Sequence, residues 1–280
     1  MKMRNTGWKI HLILLQAIIW KNILEYRRYP LEIAFTFLMP IVWFLPTYFL
    51  IVSFAPQGTS IGLASWIGTD NFFSFYMIGL IVGYFTATIF WSMGFSLKRL
   101  MDIGMLETIW VCPVSKLMYI IGESLFSMLR LIYEMTILII MYKLVFRMAV
   151  PPTIWQTLPY FIPFIFLMYG FGIAFASLVL LVKDANTMID TSSFLVQTLT
   201  GVQNPPQVFP RFFLAISLAI PITYFLDIIR VQTLAISPLV PYGIELFIFL
   251  AASLLFPIGG IWLFNYIDRK CRILGNLHVH

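Results

Sequence analysis

Six runs of mostly apolar residues, at about 31–54, 72–97, 118–142, 157–182, 186–204 and 240–265, leave this chain few ways to fold in water. A helix that crosses the hydrocarbon layer of a bilayer takes about 20 such residues, and every backbone polar group at that depth must find its partner within the protein. Only 11% of the residues are charged and 60% are hydrophobic, against about 25% charge in an ordinary soluble domain. The chain is therefore predicted to be an all-α polytopic membrane protein with six transmembrane helices. The fifth run is the most polar, with Asp190, Thr191, Ser192, Ser193, Gln197, Thr198 and Thr200. Lipid offers those groups nothing, so this helix is expected to face protein or a water-filled path.

Charge sets the orientation. Lys2, Arg4, Lys9, Lys21, Arg27 and Arg28 precede the first run; Lys98, Arg99 and Lys116 follow the second; Lys183 follows the fourth; Arg269, Lys270 and Arg272 follow the last. An even number of crossings puts these 13 of the 18 basic residues on one side, which the positive-inside rule makes the cytoplasm. The loop near 55–71 has no Lys or Arg. Both termini are expected to be cytoplasmic in a multi-pass protein of the cell membrane. Cys112 and Cys271 then lie on the reducing side, and no structural disulfide is expected. The net charge of +6 is thinly spread, too little for a nucleic-acid surface, and no nucleic-acid partner is expected.

Two segments do not read as simple spans. Residues 9–29 begin apolar but carry Lys21, Glu25 and Arg28 at helical spacing, which suits an amphipathic helix lying in the interface, with Pro30 turning the chain into the first crossing. The basic, apolar start resembles a signal peptide, but without a small-residue cleavage site it reads as mature protein. Residues 205–239 tempt a seventh span, yet that would place the carboxy-terminal basic cluster outside. Prolines at 205, 206, 210 and 221 favour short broken helices. An external re-entrant helical hairpin before the last span satisfies both constraints, because irregular backbone at membrane depth must pack on protein or line a cavity. The expected organisation is a cytoplasmic terminus and interfacial helix at 1–30, a transmembrane domain at 31–265 and a cytoplasmic tail at 266–280.

Between the second and third runs stands KRLMDIGMLETIWVCPVSK, residues 98–116. Its basic ends and Pro113 predict a short helix at a membrane face, about 102–112. In the third run Glu123, Ser127, Arg130 and Glu134 recur at intervals of four, three and four and share one helical face. One reading is an internal ion-pair stripe, Arg130 between Glu123 and Glu134; the other is a role in substrate passage or gating. Gly79 and Gly83 give a GxxxG spacing, suited to close helix packing, a subunit interface or a sliding contact. Asp190 and Glu245 are isolated acids expected to be solvent-facing or hydrogen-bonded.

Catalytic signatures are thin. The chain has no GxxxxGK phosphate loop, no HExxH pair and no cysteine cluster of metal-ligand spacing. No cofactor or metal site is expected in it, and an enzyme remains possible only through residues distant in sequence.

Two motifs carry a resemblance to the permease subunit of type 2 ATP-binding-cassette (ABC) exporters, the ABC-2 family. GMLETIWVCPVSK, residues 104–116, is similar to the family's coupling segment, commonly GTLExLxxxPxxx: Glu107 and Pro113 match, and Met105 stands where threonine is usual. IPITYFLDIIR, residues 220–230, is similar to the PLTYxxxxxR signature before the last span, matching at Pro221, Thr223, Tyr224 and Arg230. The resemblance covers nearly the whole length.

It implies a coupling helix between spans two and three that rests on a separate cytoplasmic ATPase subunit, which binds the ATP and Mg. Met105, Glu107, Trp110 and Pro113 would form the joint, and Glu107 is otherwise a solvated helix residue. A second permease, identical or related, and membrane lipid complete the implied partners. The implied activity is ATP-driven export, with a hydrophobic drug-like or lipid substrate favoured. A glycan or lipid-linked polymer, a membrane-embedded lipid-modifying enzyme, and an ion-gradient-driven transporter or channel are the alternatives.

Overall fold

The computed structural model describes residues 7–54, 59, 61–105, 108, 116–144, 152–182 and 185–274. Apart from an isolated bridge between Thr59 and Asn71, its regular structure is helical. In chain order the helices are α1 (Gly7–Arg28), α2 (Pro30–Phe54), α3 (Ile61–Ile67), α4 (Phe72–Asp102), α5 (Lys116–Leu144), α6 (Leu158–Val179), α7 (Ala185–Leu199), α8 (Arg211–Ala219), α9 (Pro221–Leu234) and α10 (Tyr242–Leu274). Short 3-10 turns lie at Pro152–Thr157 and Pro206–Val208.

Among the described residues three helical stretches are long and apolar enough to cross a membrane: Phe72–Asp102, Trp155–Val179 and Tyr242–Cys271. α8 and α9, bent by 93° at Ile220, make a fourth if counted together. The protein is thus an all-α, multi-span helical membrane protein. The runs at 31–54 and 118–142 are each one continuous helix, α2 and α5. The run at 186–204 forms a helix of only 15 residues, α7, about 22 Å long against a hydrocarbon layer of about 30 Å. It ends because Gly201 adopts a left-handed φ of +81°. The Val202 N–H then turns back to the Gln197 carbonyl at 3.3 Å, a closure typical of helix C-termini.

α4 also runs further than its apolar pattern. It continues to Asp102, whose carboxylate meets Lys98 one turn back, and stops where Gly104 takes a φ of +67°. Asp102, expected to begin the coupling helix, therefore belongs to the last turn of α4. An aspartate four residues after a lysine completes an ion pair on the existing helix.

α9 is the centre of the fold. Every residue from Pro221 to Arg230 is buried, as befits a helix enclosed on all sides rather than one with a lipid face. Its Phe225 stacks on Phe164 of α6 at 3.8 Å and lies 5.4 Å from Phe249 of α10. Phe85 of α4 reaches Phe164 at 6.5 Å. Four helices thus converge on one aromatic knot, in which each ring removes a large apolar area from other surroundings.

The longest contact joins α6 to α10. It is close because Gly170 and Gly260 bring the two backbones together: a Cβ on Gly170 would overlap Phe256 and Pro257, and one on Gly260 would overlap the Gly170 carbonyl. Small residues at a crossing are the usual means of such approach in membranes. The Phe171 and Phe256 rings stack beside it at 4.4 Å. α1 packs on α5 through Ile18, whose Cδ1 would stand 3.0 Å from a Cβ on Gly122. Its other side turns Ile13 and Trp20 outward, 64% and 60% exposed.

Gly260→Val is expected to destabilise the protein by about 1–3 kcal/mol through overpacking, read as a lower thermal midpoint of the full chain in detergent. Gly259→Ala, at a position with nothing within 4 Å of the new Cβ, should leave the midpoint nearly unchanged.

Candidate functional site

The segment 220–230 is a joint, and each residue of its motif has a mechanical task. Pro221 opens α9 at a position where a missing N–H costs no helical hydrogen bond. The preceding Ile220 is extended, with φ −96° and ψ 113°, as a residue before proline prefers. Thr223 Oγ1 donates to the Ser217 carbonyl at 2.7 Å, and Tyr224 Oη donates to the Leu218 carbonyl at 2.6 Å. Those carbonyls belong to the last turn of α8, and that of Ser217 also accepts from the Ile220 N–H at 3.1 Å. α9 therefore caps α8 with its own side chains, and the 93° bend is held by hydrogen bonds across it.

Arg230 fastens this elbow to the rest of the bundle. Its Nη1 donates to the Gly201 carbonyl at 2.7 Å, and its Nη2 donates to the carbonyls of Val202 at 3.0 Å and Phe75 at 3.2 Å. The guanidinium carbon lies 3.5 Å from the centroid of the Phe75 ring. Arg230 is only 2% exposed. Among the described residues no carboxylate is in direct contact with it; carbonyl dipoles and a ring face stand against the charge, which suits a planar donor fork. Gly79 and Gly83 make this possible. A Cβ on Gly79 would overlap the Val202 carbonyl and stand 2.6 Å from Arg230 Nη2, and one on Gly83 would stand 2.9 Å from Val202 Cγ1. The GxxxG spacing thus admits the turn after α7 and the arginine that grips it.

A second constellation lies about 36 Å away along α4, at its carboxy-terminal end. Arg99 of α4 meets Glu25 of α1 at 2.8 Å, and Lys21 of α1 meets Glu123 of α5 at 2.8 Å. Lys21 is also 4.0 Å from Glu25, and Asn22 Nδ2 donates to Glu123 Oε2 at 3.2 Å. Charges of alternating sign therefore run from α4 through α1 to α5. Lys116, first residue of α5, meets Asp268 near the end of α10 at 3.0 Å. These contacts stand at the end of α4 and in the first turns of α5.

Of the expected coupling residues, Met105 is exposed, and its N–H donates to the Leu100 carbonyl at 2.9 Å. Glu107, Trp110 and Pro113 lie outside the described residues. The polar stripe of α5 faces α1 and α2. Arg130 meets Glu134 within its own helix at 3.2 Å and Glu32 of α2 at 3.2 Å. Glu123, expected as its other partner, instead meets Lys21. Seven residues along a helix put Glu123 about 10 Å from Arg130, beyond an ion pair, whereas four residues bring Glu134 within reach. Ser127 Oγ donates to the Glu123 carbonyl at 3.2 Å. Asp190 is exposed on α7, and Glu245 is fully buried at the start of α10.

The family description "ABC-2 type transporter" matches residues 13–234 of the chain. The protein belongs to the ABC-2 transporter family. Among curated proteins none matches the chain. The ABC-2 match runs from within α1 to the end of α9, so it spans both constellations. The protein is accordingly a membrane-embedded, permease-like protein of ABC-2 type.

Sequence reasoning singled out Lys21 and Glu25 by their spacing but not their partners, because the links to Glu123 and Arg99 cross about 100 and 74 residues. Gly201, Val202 and Phe75 contribute through backbone carbonyls, which no residue type announces.

Arg230→Met should destabilise the ABC-2 fold by about 3–5 kcal/mol, since it strips the donors from three buried carbonyls. Tyr224→Phe, which frees a single carbonyl, should cost about 1 kcal/mol. Denaturant or thermal unfolding of the purified chain distinguishes the two.

Proposed function

We propose that this chain is the permease subunit of an ATP-driven exporter, moving a hydrophobic drug-like or lipid substrate across the cell membrane together with a separate cytoplasmic ATPase. The observation that carries this reading is the alternating chain Arg99–Glu25–Lys21–Glu123. It ties the helix that enters the connecting segment to the helix that leaves it, with α1 as the bridge. A force applied to that segment would shift α4, α1 and α5 together, as a coupling element requires. Lys21 and Arg99 are 49% and 63% exposed, and exposed pairs contribute little to stability. Their value in this reading is alignment, since they can shorten or re-pair as the helices rock.

In the proposed topology the six runs cross the membrane, both termini and the α4–α5 connection are cytoplasmic, and α8 and α9 form a re-entrant hairpin from the outer face. α1 lies in the inner interface, with Ile13, Trp20 and Leu24 toward lipid. ATP and Mg belong to the ATPase, and Glu107 and Pro113 shape the contact with it.

The pathway is assigned to the space between two permeases. α7 turns Asn186, Asp190, Thr191 and Thr198 away from its own chain, beside Phe194 and Leu195. Hydrocarbon gives those polar groups no partners, whereas a path for an amphipathic substrate uses both kinds of surface.

The test is reconstitution with the cognate ATPase in proteoliposomes, reading substrate-stimulated ATP hydrolysis and transport. Glu107→Arg is expected to lower both several-fold while the permease still folds; unchanged coupling removes Glu107 from the joint. Glu25→Arg and Arg99→Glu should each reduce transport, and the double exchange should restore a large part of it, because the opposite charges again face one another. Additive loss in the double variant would overturn the bridge.

A further inference from the structure

One face of α10 is left uncovered by the described residues along its second half. Leu255, Ile258, Trp262, Tyr266, Arg269 and Ile273 follow one another at intervals of three or four residues, which places them in a single stripe. All six are exposed, Ile258 and Trp262 at 67% and Ile273 at 76%. On the opposite face Phe264, Ile267 and Cys271 are buried. The Trp262 and Tyr266 rings stack at 5.9 Å with 12° between their planes, which gives the stripe a flat aromatic step. Counted from Tyr242, Trp262 lies about 30 Å along the helix, the thickness of the hydrocarbon layer. Tryptophan and tyrosine favour that boundary.

Beyond that boundary the stripe turns basic. Arg269 is exposed on it, and Lys270 is exposed at its side. Among the described residues neither makes an ion pair, whereas Lys21, Lys98, Arg99, Lys116 and Arg130 each meet a carboxylate. Asp268, the acid next to them in sequence, meets Lys116 of α5. Residues 269–280 include no Asp or Glu. An occupant that matches the whole stripe therefore carries an apolar portion and an anionic group on one molecule. A zwitterionic headgroup would bring its own ammonium beside the two cations, whereas an anionic one supplies the missing charge. A second copy of the chain fits poorly. A twofold axis along the membrane normal would set the two Arg269 side chains at the same depth, like charge toward like.

We propose that this end of α10 is a binding site for one anionic phospholipid, whose phosphate pairs with Arg269 and Lys270 while an acyl chain lies along Tyr266, Trp262 and Ile258. The long basic side chains rest their apolar stems on the stripe and carry their charges to the headgroup. The aromatic step separates the two parts of the lipid at the depth where its own polarity changes. The site depends on the chain lying in a bilayer and not on what the chain transports.

The experiment uses the full chain in phosphatidylcholine nanodiscs and needs no ATPase, so its outcome is separate from that of the permease reading. A minor fraction of phosphatidylglycerol or phosphatidylcholine with brominated acyl chains is added, and bromine quenches tryptophan on contact. The chain has eight tryptophans, so the Trp262 signal is taken as the difference from Trp262→Phe. Brominated phosphatidylglycerol is expected to quench that signal several-fold more than brominated phosphatidylcholine at the same fraction. Unlabelled phosphatidylglycerol should reverse the excess, unlabelled phosphatidylcholine and inorganic phosphate should not, and added salt should shrink it. The double variant Arg269→Gln, Lys270→Gln should bring the two lipids level. Equal quenching in the wild type would mean ordinary boundary lipid, quenching by neither would mean a protein-covered face, and an excess that survives the double variant would mean other ligands. Each of these overturns the site. Should the double variant not fold, the wild type decides: an excess that unlabelled phosphatidylglycerol fails to displace, or that salt leaves unchanged, rejects the proposal.

Discussion

A single guanidinium group holds the ABC-2 permease together. Arg230 gathers the carbonyls of Gly201, Val202 and Phe75, which belong to the turn after α7 and to the start of α4. A charge with almost no solvent contact must find its partners within the protein, as both Nη groups do here while Nε finds none among the described residues. The surrounding geometry follows from that demand. The glycines at 79 and 83 leave room for the turn, the left-handed Gly201 points its carbonyl inward, and α9 is buried so that its arginine arrives at the right depth. Pro221, Thr223 and Tyr224 then fix the direction from which α9 comes.

The two ends of α4 use charge in opposite ways. Near Phe75 the cation is sealed among dipoles and an aromatic face, which makes it rigid and intolerant of rearrangement. Near Arg99 the pairs are half-exposed and connect three helices through long, adaptable side chains. The contrast between buried Arg230 and exposed Arg99 makes the two ends of α4 unlike in how closely charge is held.

The apolar runs made the helical, multi-span class legible, since the hydrocarbon layer permits little else. The motif at 220–230 was legible as a signature, but its mechanics were not. Thr223 and Tyr224 act on carbonyls six residues back, across a bend that no hydropathy pattern records. The spacing in α5 put Glu123, Arg130 and Glu134 on one face, yet their pairing depended on α1 and α2, whose approach is a tertiary fact. Phe85, Phe164, Phe225 and Phe249 fill the knot around α9, a convergence of four helices that no local pattern announces. Glu245 read as an isolated acid because what it accepts from is the backbone N–H of Val240, which no residue type announces.

The elbow of α8 and α9 also constrains how the protein can be assembled. Neither helix is complete alone: α8 takes hydrogen bonds from Thr223 and Tyr224 of its successor, and the acceptors of the Arg230 side chain lie on α4 and the turn after α7. Delivered alone to a bilayer, this stretch would expose bare carbonyls and a cation to lipid. The elbow therefore holds together only as one unit with α4 and the turn after α7, and a substitution at any of the three is felt by the other two.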